Sequence, residues 1–160
     1  MRGFLLIECL LATSILALLS TMMLRSWQQQ QNYLSLENTT QALMTFLAQA
    51  QTLATQQQQT LSVQREFTNQ GEWCFWIGGL SAQHDCQNSP LFWKLTDYRV
   101  KLLTTPTFPS PKFYGHTGAT QATRITLSAG AQRIRVVISS KGQLSRCSEH
   151  GNFGSLRACR

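Results

Sequence analysis

The sequence is short of acid, of glycine and of proline, and the shortages are concentrated at its start. Seven of its 160 residues are Asp or Glu, and Glu8 is the one acid before Glu37. No Pro or Gly lies between Phe4 and Gln70. The strongest helix breakers and turn formers are thus missing from the whole N-terminal stretch, which excludes a multi-turn fold there. Enzyme signatures are missing as well. There is no G-x-S-x-G, no glycine-rich phosphate loop and no H-E-x-x-H. His84 stands beside Asp85 in a small polar loop, and His116 and His150 sit in Gly-containing stretches, so no nucleophile–base pair emerges. The expectation is a chain that is not an enzyme and carries no cofactor.

What the N-terminus does hold is apolar. From Phe4 to Leu24 there are 21 residues with one charge, Glu8. As a helix this run is about 32 Å long, close to the thickness of a bilayer's hydrocarbon core. A cleaved secretory signal is the rival reading, but its apolar core is shorter, ends at a small-residue cleavage site and avoids acids. This run instead continues into Met22-Met23-Leu24-Arg25-Ser26-Trp27. The reading is a transmembrane helix over residues 4–24.

Beyond Arg25 the pattern becomes amphipathic. Leu36, Leu43, Leu47, Ala50 and Ala54, with Phe46 and Leu53 beside them, recur at helical spacing and make one apolar stripe. The Gln runs 28–31 and 56–59 read as exposed helix surface. One helix is predicted from Phe4 to about Gln58, its first half facing lipid and its second half (residues 25–58) lying on a sheet.

After Thr60 the period changes to that of strands. The candidates are Leu61–Phe67, Trp73–Ile77, Tyr98–Leu103, Arg124–Ala129, Arg133–Ser139 and Gln143–Cys147, separated by Gly-, Pro- or Asn-containing turns. "NQGEW" and "SAGAQR" read as hairpin connections, and "TTPTFPSPK" as a loop or an edge. Ile125 and Leu127, then Ile134, Val136 and Ile138, alternate with polar neighbours, which predicts a meander with one buried face and Arg133 and Arg135 on the other. In "WCFW", alternation puts Trp73 and Phe75 on one face, and core packing is the preferred reading over a binding platform. The fold class is α+β: a long N-terminal helix packed on an antiparallel, sandwich-like β head spanning residues 59–160.

Of five cysteines, Cys9 lies in the apolar run. The others form two local pairs, Cys74 with Cys86 and Cys147 with Cys159, each twelve positions apart. Such spacing favours disulfides and an oxidising compartment, and each bridge would contribute about 3 kcal/mol in the chain-entropy model. The alternative is a metal site in which Cys74 and Cys86 join His84, although no C-x-x-C spacing exists. Net charge is +7, and from Arg124 onward seven bases face one acid, Glu149. The basic residues there read either as a solvated face or as a polyanion-binding surface.

An acid in a membrane helix costs about 2.5–3.5 kcal/mol at the centre, less near an end, and such residues usually have a functional partner. No base within the apolar run is available to Glu8, so its partner should come from another molecule. The stretch Gly3-Phe4-Leu5-Leu6-Ile7-Glu8 resembles the N-terminal signal of type IV pilins and type II secretion pseudopilins. The resemblance implies a leader of residues 1–3, whose single charge holds the N-terminus in the cytoplasm. It implies cutting after Gly3 by a membrane prepilin peptidase and N-methylation of Phe4. It also implies that Glu8 pairs with the α-amine of a neighbouring subunit as the chain docks into a filament.

The later stretch "FYGHTGATQATRITLSAGAQRIRVVISSKGQLSRC" resembles the FimT/GspH-type minor pilins, and the two cysteine pairs fit that layout. This implies a low-abundance subunit at the tip of a type IV pilus that primes assembly. Its partners would be other pilins, the peptidase and the inner-membrane assembly platform, and its head would lie in the periplasm before reaching the cell surface. The minor pseudopilin of a type II secretion system is one alternative. A tip subunit that captures DNA is another. For DNA, some FimT-like proteins use a Gly-Arg-x-Arg motif, but here the corresponding residues are Gly142-Gln143-Leu144-Ser145 and both arginines are absent. Arg133, Arg135, Lys141, Arg146, Arg157 and Arg160 remain as the basic candidates.

Overall fold

A computed structural model describes residues 4–68, 72–78, 86, 88–103, 110–151 and 156–159. One helix, α1, runs unbroken from Phe4 to Gln57, 54 residues in all. The absence of Gly and Pro explains its length. It ends at Gln58, which takes the left-handed conformation with φ 50°. The Gln58 N–H donates to the Thr55 carbonyl and the Gln59 N–H to the Ala54 carbonyl, a Schellman closure built on Gln where Gly is usual.

Among the described residues eight strands follow: β1 (Thr60–Phe67), β2 (Trp73–Gly78), β3 (Phe92–Lys94), β4 (Lys101–Leu103), β5 (Lys112–Tyr114), β6 (Thr123–Ala129), β7 (Gln132–Ile138) and β8 (Leu144–Ser148). They form two four-stranded sheets, ordered β3-β2-β1-β5 and β4-β6-β7-β8, with every pairing antiparallel. The helix lies on both: it meets β6 and β7 of the second sheet and β5, β1 and β3 of the first.

A single core sits between them. Leu36, Leu43, Phe46, Leu47, Ala50 and Ala54 supply the helix side; Val63, Phe75, Ile125, Leu127, Ile134, Val136 and Ile138 are among its sheet residues. The stripe has one further member, Thr40, which is fully buried between Leu36 and Leu43. It completes the alternating spacing of four and three. Its hydroxyl donates to the Leu36 carbonyl at 2.6 Å, so its own polar hydrogen enters the core paired. The α+β architecture read from the sequence is the one observed.

Differences are local. The predicted strand Tyr98–Leu103 begins at Lys101, because Asp97 folds the chain into a turn: its carboxylate accepts from the Arg99 N–H at 2.9 Å and its carbonyl from the Val100 N–H at 3.1 Å. Strands β3 and β5 had no counterpart in the sequence reading; each has three residues and lies at a sheet edge near proline. In "WCFW", Phe75 is buried in the core and Trp73 packs against it. Phe75 meets Trp93 with ring centroids 5.5 Å apart, and Trp73 meets Phe67 at 5.1 Å. The β6–β7 connection "SAGAQR" is a two-residue turn with Gly130 at φ 59°.

Candidate functional site along the helix and the basic strands

The described apolar residues of the first stretch of α1 do not join the core. Ile7, Leu10, Leu11, Ile15, Leu16, Leu18, Leu19, Met23 and Leu24 are all exposed, so the apolar surface that the helix presents is not a core face. By length and composition this is a helix fit to cross a membrane. Glu8 is exposed among them. No ion pair among the described residues involves it. Arg25, the next charged residue on the helix, is 17 positions away, about 25 Å along the axis. The helix begins at Phe4, while Gly3 lies outside the described residues.

The second half of the helix is tied to the head by polar bonds beside the apolar stripe. Glu37 pairs with Arg146 of β8. Ser35 donates to the Asp97 carboxylate at 2.5 Å, and Arg99 donates to the Gln31 side chain at 3.3 Å. Burial raises the Asp97 pKa, but the Ser35 hydroxyl, the Arg99 backbone N–H and the Arg99 charge together outweigh it, so the carboxyl lies below its ordinary value. None of these ties was read from the sequence. The one available signal was Glu37 itself, an acid beside the stripe in a helix with very few.

The basic candidates do not make one face. In the β7–β8 register, Arg135 stands opposite Cys147, and Val136 opposite Arg146. Arg133 and Arg135 therefore lie on the outer face, as alternation predicts, and Arg146 on the inner face toward the helix. Arg133 and Arg135 both engage Glu149, the former at 3.8 Å. Lys141 is exposed in the β7–β8 turn and Arg157 is exposed in the tail; neither joins an ion pair among the described residues. Arg160 lies outside the described residues. Three of the six positions are thus partly neutralised within the fold.

Cys74 is bonded to Cys86, and Cys147 to Cys159, with Cα separations of 6.2 Å and 5.0 Å. The second bond holds the tail along β8, where Ser148 exchanges backbone hydrogen bonds with Arg157 and Cys159 at 2.9 Å each. The bonded sulfurs are not free as metal ligands, and His84 lies outside the described residues. No group of three metal-ligating side chains occurs among the described residues.

A family model, type II transport protein GspH, matches residues 39–142. That segment holds the buried stripe of α1 from Thr40 onward and seven of the eight described strands, which supply most of the core. The chain belongs to the GspH family. As a GspH-type protein it is a structural subunit of the pseudopilin and minor pilin group, with an apolar N-terminal helix for membrane anchoring and association with other pseudopilins. No curated protein and no solved structure matches it. The match begins after Glu37 and ends before Arg146, so the pair that fastens helix to β8 is formed by residues on either side of the matched segment.

Proposed function

We propose that this chain is a minor subunit of a type IV pilus-like filament, and that it primes assembly from the tip. The observation that carries the reading is Glu8, a carboxylate on an exposed apolar helix with no ion-pair partner among the described residues. In this reading residues 1–3 are removed by a prepilin peptidase, Phe4 becomes the methylated N-terminus, and residues 4–24 hold the chain in the inner membrane with the head on the periplasmic side. An unpaired carboxylate in hydrocarbon is costly, and an ammonium from the adjacent subunit relieves the cost. Assembly is then favoured by the same charge that makes the lone subunit unfavourable, and the pairing sets the axial register between neighbours. The α1 stripe is already covered by the head, so the lipid-facing half of the helix is the surface left for packing against other pilins.

The test is Glu8→Ala. The variant is expected to enter the membrane at normal levels and to be missing from sheared filaments, at least tenfold below the unaltered chain. Incorporation at normal levels would overturn the role of Glu8. Mass spectrometry of the mature chain is expected to show a methylated Phe4. Deleting the gene and scoring piliation against protein secretion separates a pilus from a type II secretion pseudopilus.

A further inference from the structure

The outer edge of β8 is closed at one end by the chain's own tail. Just past β7, the Ser139 N–H donates to the Gln143 carbonyl at 3.0 Å, and at the other end of β8 the Glu149 N–H donates to the Arg133 carbonyl at 3.1 Å. Odd-numbered residues along β8 thus turn their backbone groups toward β7, while Leu144, Arg146 and Ser148 turn theirs outward. The tail takes both outward groups of Ser148: its N–H donates to the Arg157 carbonyl, and its carbonyl accepts from the Cys159 N–H. A parallel bridge joins Ser148 to Ala158. Leu144 and Arg146 have no backbone partner on that side among the described residues.

These outward groups are self-complementary. About a two-fold axis at Arg146, a second β8 runs antiparallel to the first. It pairs Leu144 with Ser148, Arg146 with Arg146, and Ser148 with Leu144. In each pair both residues offer an N–H and a carbonyl to the other, which is the hydrogen-bonded pair of an antiparallel ladder in an isologous contact. Two arginines directly opposite would repel, but each is already paired with Glu37 of its own helix. An open edge of this kind is a template for strand addition. The tail occupies Ser148, which this register needs at both ends.

The Cys147–Cys159 bond is what holds the tail there. Its noncovalent ties to the head are the two Ser148 hydrogen bonds and Leu156, which is buried in the core. Against the entropy of ordering residues 156–159 these ties are weak. The bond lowers that cost by tethering the tail beside β8 even before it pairs. Strand and tail both lie beyond the matched family segment, which ends at residue 142. We propose that residues 156–159 are a disulfide-latched guard, and that the edge they close is a pairing surface for β8 of a second copy of this chain. With the bond in place the heads stay apart. Without it the tail leaves Ser148 and two β8 edges join.

The experiment uses the full chain in detergent, with Cys9→Ser in every sample so that this thiol forms no cross-links. Sedimentation velocity measures the dimer fraction at equal protein concentration. Replacing the latch by Cys147→Ser with Cys159→Ser is expected to raise the dimer fraction at least tenfold. Adding Leu144→Pro should return it to the starting level, because proline there removes an outward N–H and leaves the β7 ladder whole. Amide hydrogen exchange is read in parallel. Exchange at Arg146 should be slow in the dimer and at least tenfold faster once Leu144→Pro is added, with β6 slow throughout. A dimer fraction unchanged by loss of the latch would overturn the guard. A dimer that survives Leu144→Pro would overturn β8 as its surface. Loss of β6 protection on removing the latch would show that the bond maintains the fold instead of guarding an edge, and would overturn the proposal as well.

Discussion

The Glu37 carboxylate on the helix and the Arg146 guanidinium on the last strand meet across 109 positions of sequence. Each side chain is about three-quarters covered, and the second Glu37 oxygen has no hydrogen-bond partner among the described residues. Arg146→Met would therefore leave a largely buried carboxylate with neither oxygen paired. We expect a loss of about 1–3 kcal/mol in denaturant unfolding. The double variant Glu37→Leu with Arg146→Met should recover most of it, because the cost lies in the orphaned charge. A double variant as unstable as the single one would show that Arg146 acts through packing instead.

The helix end offers a gain. Gln58 holds a left-handed conformation that disfavours any side chain with a Cβ. Gln58→Gly should raise stability by about 1 kcal/mol, offset in part by the freer unfolded chain. The shift in urea midpoint, at unchanged slope, is the measurement.

Gly115 is the reverse case. Its N–H donates to the Gln59 carbonyl at 3.2 Å, and an added Cβ would collide with backbone atoms of Ala54 and Gln59, the Gln59 nitrogen at 2.6 Å among them. These atoms belong to the helix closure and cannot swing aside. Gly115→Ala should cost about 2–3 kcal/mol or more. Thermal unfolding should show a lower midpoint, and pairing it with Gln58→Gly tests whether both act on the same joint.

Asp97 makes stability depend on pH. Its folded pKa lies below the ordinary value, so its contribution is complete above the unfolded pKa of about 3.9 and is lost as pH falls through the folded value. Asp97→Asn should remove that dependence. The stability difference between the two proteins is expected to be constant above about pH 5 and to shrink below about pH 4. A difference that grew on acidification would reverse the sign argued for the Ser35 and Arg99 interactions.

The helix and the central strands were legible because each carries a periodic signal of its own. The buried stripe from Leu36 to Ala54 repeats at three and four, and burial alternates from Thr123 to Leu127 in β6 and from Arg133 to Ile138 in β7. Thr40 escaped notice because its hydroxyl disguises a core position, and bonding to Leu36 is what lets it serve as one. Strands β3 and β5 are too short to show a period and are stabilised by their neighbours alone. Arg133 and Arg135 were placed on the outer face by alternation, whereas the inward position of Arg146 was not read. Their neutralisation was not visible, since Glu149 reaches Arg133 and Arg135 only after β8 pairs with β7, and Glu37 reaches Arg146 only after the sheet closes on the helix. Long-range pairing between charges leaves no local mark in a sequence.

Because α1 has no glycine, proline or break from Phe4 to Gln57, it is one stiff shaft of about 80 Å with the head clamped to its far half. A push or a twist applied near Phe4 has a continuous helical path to the head. In the filament proposed above, the head and the membrane-proximal end of α1 advance as parts of one helix-bearing subunit.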